Sequence, residues 1–249
     1  MAGNVSTPGA TVASRLLAIL AAFDERHRVL TLTDLARRTD VPVPTAHRLV
    51  GELVAGKALQ RLDDGRYAIG PLLWEVGLLA PVSGPLRQLA EPYLHDVYAA
   101  TKATVHLAVR DGDEVLFLHR MRGLASLPIV SSVGSRLPMH ATGVGKVLLA
   151  YAPVDVQARV LADLTRITPH TVTQPQVLWS QLERVRRDGV ATTSEEMSLG
   201  ACSLAVPVRR SSDGQVVAAI GMVLPSLRRD RQRLQGALQV AAGGIGRRL

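Results

Sequence analysis

Cysteine is nearly missing from this chain of 249 residues. Cys202 stands alone, so there is no internal disulfide and no cysteine zinc cluster. Aromatic residues supply 3% of the composition against 47% for all hydrophobic types, so Leu, Val and Ala must build any core. Long apolar runs are lacking too. Pro, Gly or a charge interrupts each one well short of the roughly 20 residues that a membrane span requires. Residues 1–10 are polar and hold no apolar signal-peptide stretch. These absences exclude a disulfide-stapled mini-protein and a helical membrane protein. They give the expectation of a soluble cytoplasmic protein with no membrane partner, long enough for one or two domains.

The net charge of +8 suits a polyanionic partner, but its placement does not mark a binding half. Residues 1–80 hold 9 Lys/Arg and 8 Asp/Glu, which leaves +1 there and +7 downstream. Much of the downstream excess is Arg228, Arg229, Arg231, Arg233, Arg247 and Arg248. These read as a solvated face of a last helix, favourable at its C-terminal end, or as a subunit contact.

The local pattern says more than the charge. Val12, Leu16, Ile19, Leu20 and Phe23 recur at helical spacing. Thr33 is placed to cap a second helix over 34–39, with Asp34 favourable in its first turn. Residues 40–43 break the pattern, and Pro44 fits the first position of a third helix. There Ala46, Leu49, Val50 and Leu53 follow i, i+3, i+4, i+7 and face inward. The opposite face presents Pro44, Thr45, Arg48, Gly51 and Glu52, with His47 on its flank. A recognition helix needs this division, because Arg can take both acceptors of guanine while Thr and His reach a base or phosphate. Taken alone, the same helix also reads as a surface helix with an Arg48–Glu52 pair and a packed His47. Residues 59–62 and 67–69 then flank Asp63-Asp64-Gly65-Arg66, a strong hairpin signal. Helix, turn, helix and hairpin, with Arg61 and Arg66 on the hairpin, make a winged helix-turn-helix over residues 1–70, with duplex DNA as its partner.

A short helix over 72–79 follows, within a linker of residues 71–84 that ends in a Pro/Gly cluster. From residue 85 to 249 the pattern is α+β. Leu86 to Tyr98 carries an apolar helical stripe in which Pro92 predicts a kink. Residues 104–110 and 114–120 read as a hairpin, 127–133 as a third strand, and 204–209 and 216–223 as two more. Ser226 is placed to cap a final helix carrying Leu227, Leu234, Leu238, Ala241 and Ile245.

Between the strands lies a glycine-bearing segment, 137–146, opening an apolar helix over 147–150. Glycines at a helix N-terminus expose amides to an anion. The segment is no P-loop, since His140 replaces the first glycine and Val147 the Ser/Thr. Nor is it a dinucleotide fingerprint, since Leu148 takes the third glycine position. A tight strand-to-helix turn explains the spacing equally well.

Two other classes compete with a DNA-binding regulator. An enzyme would need a converging nucleophile and base, yet His106, His119, His140 and His170 are scattered without metal-ligand spacing. Cys202 has no base beside it in sequence, and no Gly-x-Ser-x-Gly elbow is present. An interaction module, with its winged helix docked on protein, would show weak salt dependence of any DNA binding, whereas a DNA reader loses affinity steeply as salt rises.

The whole chain resembles the isocitrate-lyase-regulator (IclR) family of bacterial transcription factors. The matching pieces run in order: residues 30–38, 45–49, 65–67, Thr104-Val105-His106-Leu107-Ala108, 133–143, Thr168-Pro169-His170-Thr171 and Glu195-Glu196. The resemblance implies a winged-helix domain, a linker helix and a profilin- or GAF-like effector domain. It further implies dimers assembling into tetramers on palindromic operators, a small and often carboxylated metabolite as effector, and no cofactor. Regulators of this kind repress or activate neighbouring genes. Carried over by position, Leu137, Gly143 and Val144 match the family loop whose amides meet the effector carboxylate. Ser126 and Ile129 fall at apolar pocket positions. Thr193 stands where Asp is common, Ser203 where Cys is common, and Gly221 and Val223 where small-acid binders carry serines. A pocket polar at one end and apolar at the other fits a carboxylate with an apolar or aromatic body. In the DNA-binding half, Val43 and Pro44 replace a common Lys and Ser, which leaves more of the contact to Thr45, His47 and Arg48.

Overall fold

The computed structural model describes residues 11–24, 27–80, 85–124, 127, 129–227 and 230–249. They fall into two compact units, one up to residue 80 and one from residue 85.

The first unit is built on three helices, α1 (Val12–Ala21), α2 (Leu32–Thr39) and α3 (Val43–Ala55). Ile19, Leu35, Leu49, Val50 and Leu59 form its core, with Leu16, Leu20 and Phe23 packed against it. Val12 remains exposed. The cap of α2 is Thr31, not Thr33. Thr31 Oγ1 accepts from the Asp34 amide at 3.1 Å while Asp34 Oδ2 accepts from the Thr31 amide at 3.4 Å, a reciprocal capping box. This arrangement satisfies two orphan amides, and Thr33 is left exposed inside the first turn. The turn to α3 passes through Asp40 in the left-handed region at φ 52°, and buried Val41 donates to Ala36 O. Helix α3 begins at Val43 behind Pro42, so Pro44 is its second residue rather than its first. It still lies where a helix amide lacks an intrahelical partner. Strands β1 (Val29–Leu30), β2 (Leu59–Arg61) and β3 (Tyr67–Ile69) form a small antiparallel sheet in the order β1-β3-β2. The hairpin closes through Leu62 N to Arg66 O, with Gly65 at φ 81° in the turn. Helix α4 (Pro71–Leu78) follows and buries no residue.

The second unit is a six-stranded antiparallel sheet covered on both faces. Helix α5 (Pro85–Thr101) runs through Pro92 without a break. The strands are β4 (Thr104–Asp111), β5 (Glu114–Met121), β6 (Arg136–Pro138), β7 (Ala191–Ser194), β8 (Cys202–Arg209) and β9 (Val216–Leu224), in the order β6-β5-β4-β9-β8-β7. Alternation along each strand separates two cores. Val105, Leu107, Leu204, Val206, Ile220 and Met222 face α5 and α9 (Arg231–Gly246). Ala108, Phe117, Ala205 and Ala219 face α6 (Gly143–Ala150), α7 (Val154–Ala162) and α8 (Pro175–Asp188).

Two expected elements differ. The described residues between 127 and 133 form no strand; β6 takes the sheet edge instead, pairing with 114–116 of β5. Ser131 is held by side chains rather than by a strand ladder, since Arg120 donates to its carbonyl and its Oγ bonds His106. The last helix starts at Arg231 after Asp230, whose carbonyl accepts from the Leu234 amide at 2.9 Å, so Ser226 is not its cap and Leu227 lies outside it.

Candidate functional site

In the first unit, α3 divides as amphipathic spacing requires. Ala46, Leu49 and Val50 are buried, while Pro44, His47 and Arg48 are exposed and Thr45 is half-buried. No Arg48–Glu52 ion pair exists among the described residues, so the Arg48 guanidinium is not tied down along its own helix. The wing arginines differ from each other. Both are exposed, but Arg66 is held by Asp64, with Nε donating to Oδ2 at 2.8 Å and Nη2 to the same oxygen at 2.6 Å. The pairing lowers the pKa of Asp64 and raises that of Arg66. Arg66 is thus paired on the surface, whereas Arg61 has no side-chain partner among the described residues.

The second unit encloses a cavity between the α6 face of the sheet and the loops that cross it. It is lined by Ile129, Leu137, Gly143, Val144, Thr193, Ser203, Gly221 and Val223 among others. Residues far apart in sequence are thus brought together by strand register, in which Thr193 pairs with Ser203, Ser203 with Val223, and Ala205 with Gly221. Ser126 lies outside the described residues.

Helix α6 is buried along its whole length and points its N-terminus into this cavity. Thr142 caps it, accepting from the Gly145 amide at 3.1 Å. The Gly143 amide donates to Ser203 Oγ at 3.1 Å, and Ser203 Oγ lies 2.6 Å from Thr193 Oγ1. The Val144 amide has no partner among the described residues, which leaves one open donor at the positive end of the helix. Gly221 has to be small: a Cβ there would lie 2.9 Å from Val144 Cγ1 and 3.0 Å from Ala205 Cβ. A side chain at position 221 would therefore require Val144 to shift.

Several lining residues give no motif in the sequence. His106 and Ser131 are buried at the β4 side, with Nε2 and Oγ 2.8 Å apart. Burial, with a smaller effect from Arg120, pushes the His106 pKa down to about 3. Met197, Ser198 and Ala201 come from the loop between β7 and β8. That loop is anchored by Lys146, which is only 1% exposed and donates to Glu196 at 2.6 and 2.7 Å and to Gln181 Oε1 at 2.7 Å. Burial lowers the Lys146 pKa against the pull of Glu196. Thr171 Oγ1 donates to Glu196 O and Thr168 Oγ1 to Glu195 O, both at 2.7 Å. Strand alternation in 104–108 places His106 on the face of Ala108, the one sequence signal that could have singled it out.

A winged helix with an outward arginine-bearing α3, and a separate unit enclosing a mixed polar and apolar cavity, define an effector-controlled DNA-binding regulator. Family models agree: "IclR helix-turn-helix domain" matches residues 12–63, and "Bacterial transcriptional regulator IclR C-terminal" matches residues 81–247. The chain belongs to the IclR family. It is 32% identical over 243 residues to the HTH-type transcriptional regulator XynR of Escherichia coli, covering 93% of this chain and 96% of that one. It is 34% identical over 217 residues to the Pca regulon regulatory protein of Pseudomonas putida, covering 85% and 73%. An IclR homolog from Microbacterium hydrocarbonoxydans, solved in complex with 4-hydroxybenzoate, superimposes with a TM-score of 0.88 at 34% identity, over 95% of this chain and 98% of that one. These relatives are named as regulators, and the chain is a regulator rather than an enzyme.

Proposed function

We propose that the effector is a carboxylate with an apolar or aromatic body, bound with its carboxyl group at the N-terminus of α6. The observation that carries this reading is the open Val144 amide beside Gly143, at the positive end of a buried helix and facing an otherwise apolar wall. Ile129, Leu137, Thr193, Ser203, Gly221 and Val223 complete the pocket, and Ser126 joins this list on the family resemblance alone. The 4-hydroxybenzoate bound by the Microbacterium homolog supports an aromatic acid here. Residues 1–70 read the operator through Thr45, His47, Arg48 and Arg61, with Thr33, Pro44 and Arg66 at the margins of the contact. Residues 71–84 link this domain to the effector domain, 85–249.

The protein works in the cytoplasm as a homodimer or tetramer on a palindromic operator beside neighbouring catabolic genes. Leu72, Trp74, Val76 and Leu78 leave α4 with exposed apolar surface, which supports self-association. The effector shifts the operator-binding equilibrium by binding one conformation better than the other.

The test is binding of the purified protein to its own upstream intergenic DNA against a scrambled duplex, at two salt concentrations, with aromatic and aliphatic acids added. Specific, salt-sensitive binding that an aromatic or branched acid changes is the expected result. Response to a two-carbon or three-carbon oxoacid alone would overturn the effector class. Equal affinity for both duplexes would overturn the operator.

A further inference from the structure

The cavity has a second polar end that the carboxylate reading does not use. We propose that His106 and Ser131 form a subsite for a hydroxyl group carried by the effector at the end opposite its carboxylate. The proposal rests on the carboxylate site described above and sharpens the ligand class to hydroxylated aromatic acids.

The geometry is specific. His106 and Ser131 are each 4% exposed and both line the cavity. The imidazole is fixed on two sides, by Ser131 Oγ at 2.8 Å and by the edge of Phe117, whose ring centroid is 5.2 Å away at 74°. Ser131 is fixed from behind, because Arg120 donates to its carbonyl. A hydroxyl offers one donor and two acceptor sites, and His106 is the one side-chain partner of Ser131 Oγ among the described residues. Capacity for a further hydrogen bond therefore remains at the cavity wall.

The spacing suits a ring with substituents at both ends. His106 pairs with Gly221, and Gly221 with Ala205, so His106 lies two strands from β8, or roughly 10 Å. Ser203 is one same-face step further along β8. Phe117, Leu137, Ala141 and Val144 supply the apolar wall. Charge decides the ligand group. Burial keeps the imidazole neutral at any pH near 7, so the ring, whose Nε2 is engaged by Ser131, brings no cation for a second carboxylate, and the neighbouring Arg120 donates to the Ser131 carbonyl. A neutral hydroxyl matches it, and an apolar substituent would leave the pair without added partners.

Calorimetric titration of the full-length protein with benzoate, 4-methylbenzoate and 4-hydroxybenzoate tests this. The methyl and hydroxyl compounds are near-equal in size, so their affinity ratio isolates the hydrogen bond. The expected result is at least tenfold tighter binding of 4-hydroxybenzoate. Ser131→Ala brings the ratio close to one, and Ser131→Thr, which restores a hydroxyl, keeps the preference. Thermal unfolding of each variant checks that it is folded. Equal affinities in the unmodified protein overturn the subsite while leaving the carboxylate site intact. A preference that survives both Ser131→Ala and His106→Phe also overturns it. If none of the three acids binds, the aromatic-carboxylate reading itself falls.

Discussion

At the scale of single residues, chemistry is set by what each side chain is already bound to. Arg48 projects from α3 with no ion-pair partner among the described residues, while Arg66 is paired with Asp64. Arg48→Ala is therefore expected to weaken specific operator binding by about 1–3 kcal/mol, and Arg66→Ala by less. Fluorescence anisotropy on operator and scrambled duplexes measures both, and an unchanged operator affinity for Arg48→Ala removes its reading role. His106 supplies a pH dependence. Its folded pKa of about 3 lies below the ordinary value of 6.5, so the unfolded chain binds the proton more readily between those limits. Stability from this group is complete above pH 6.5 and falls as pH drops toward 3, by about 1.4 kcal/mol per pH unit. His119 and His140, lowered mainly by burial, act in the same direction. Denaturation midpoints should fall with acidification over that window, and His106→Gln should flatten part of the slope. An identical slope in the variant would show that the other groups carry it all.

Among elements, α6 does two jobs at once, since its N-terminus faces the cavity while Lys146 anchors the loop that closes it. Lys146→Met leaves the Glu196 carboxylate buried without its cation, and a loss of about 3–5 kcal/mol is expected. The paired change Lys146→Met with Glu196→Leu should recover much of that, because it removes both desolvated charges. Urea unfolding compares them, and a double variant no more stable than the single one would show that the pair is not the cause. Which elements the sequence discloses follows from the same physics. Helix α3 and the wing hairpin are legible because periodicity and the Asp-Gly turn are local signals. The cap of α2 is a contest between Thr31 and Thr33, and Asp34 three residues on from Thr31 decides it. Residues 127–133 have strand-like composition, yet the described ones form no strand, and Ser131 is bonded instead to Arg120 and His106, partners outside the segment.

For the whole molecule, the net charge of +8 is a poor guide to where DNA binds, because the first unit carries little of it. Operator affinity should nonetheless fall steeply with salt through counterion release. Arg61→Ala should reduce the log–log slope by about one, while Arg247→Ala with Arg248→Ala should leave it unchanged. A slope that responds to the C-terminal pair instead would move the phosphate contacts there. The cavity is likewise illegible from composition. Residues 106, 193, 203 and 221 meet through the pairings of β4, β7, β8 and β9, with 131 and 143 joined to them by hydrogen bonds, and register is not written in any one segment. The resemblance to a family supplied most of those positions as pocket residues; it matched His106 without giving it that role, and it did not reach Ser131.

The bond from the Gly143 amide to Ser203 Oγ engages one of the donors at the head of α6 from within the protein. Under the proposed carboxylate reading, Ser203 holds one of the donors that an acid would use, so an incoming carboxylate would compete with an internal stand-in. A cell is crowded with weak organic acids, and a bare amide pair would respond to many of them. On that reading the built-in competitor would set a threshold: a molecule would have to fill the rest of the cavity to displace the serine, and an acid that touches the helix end alone would not.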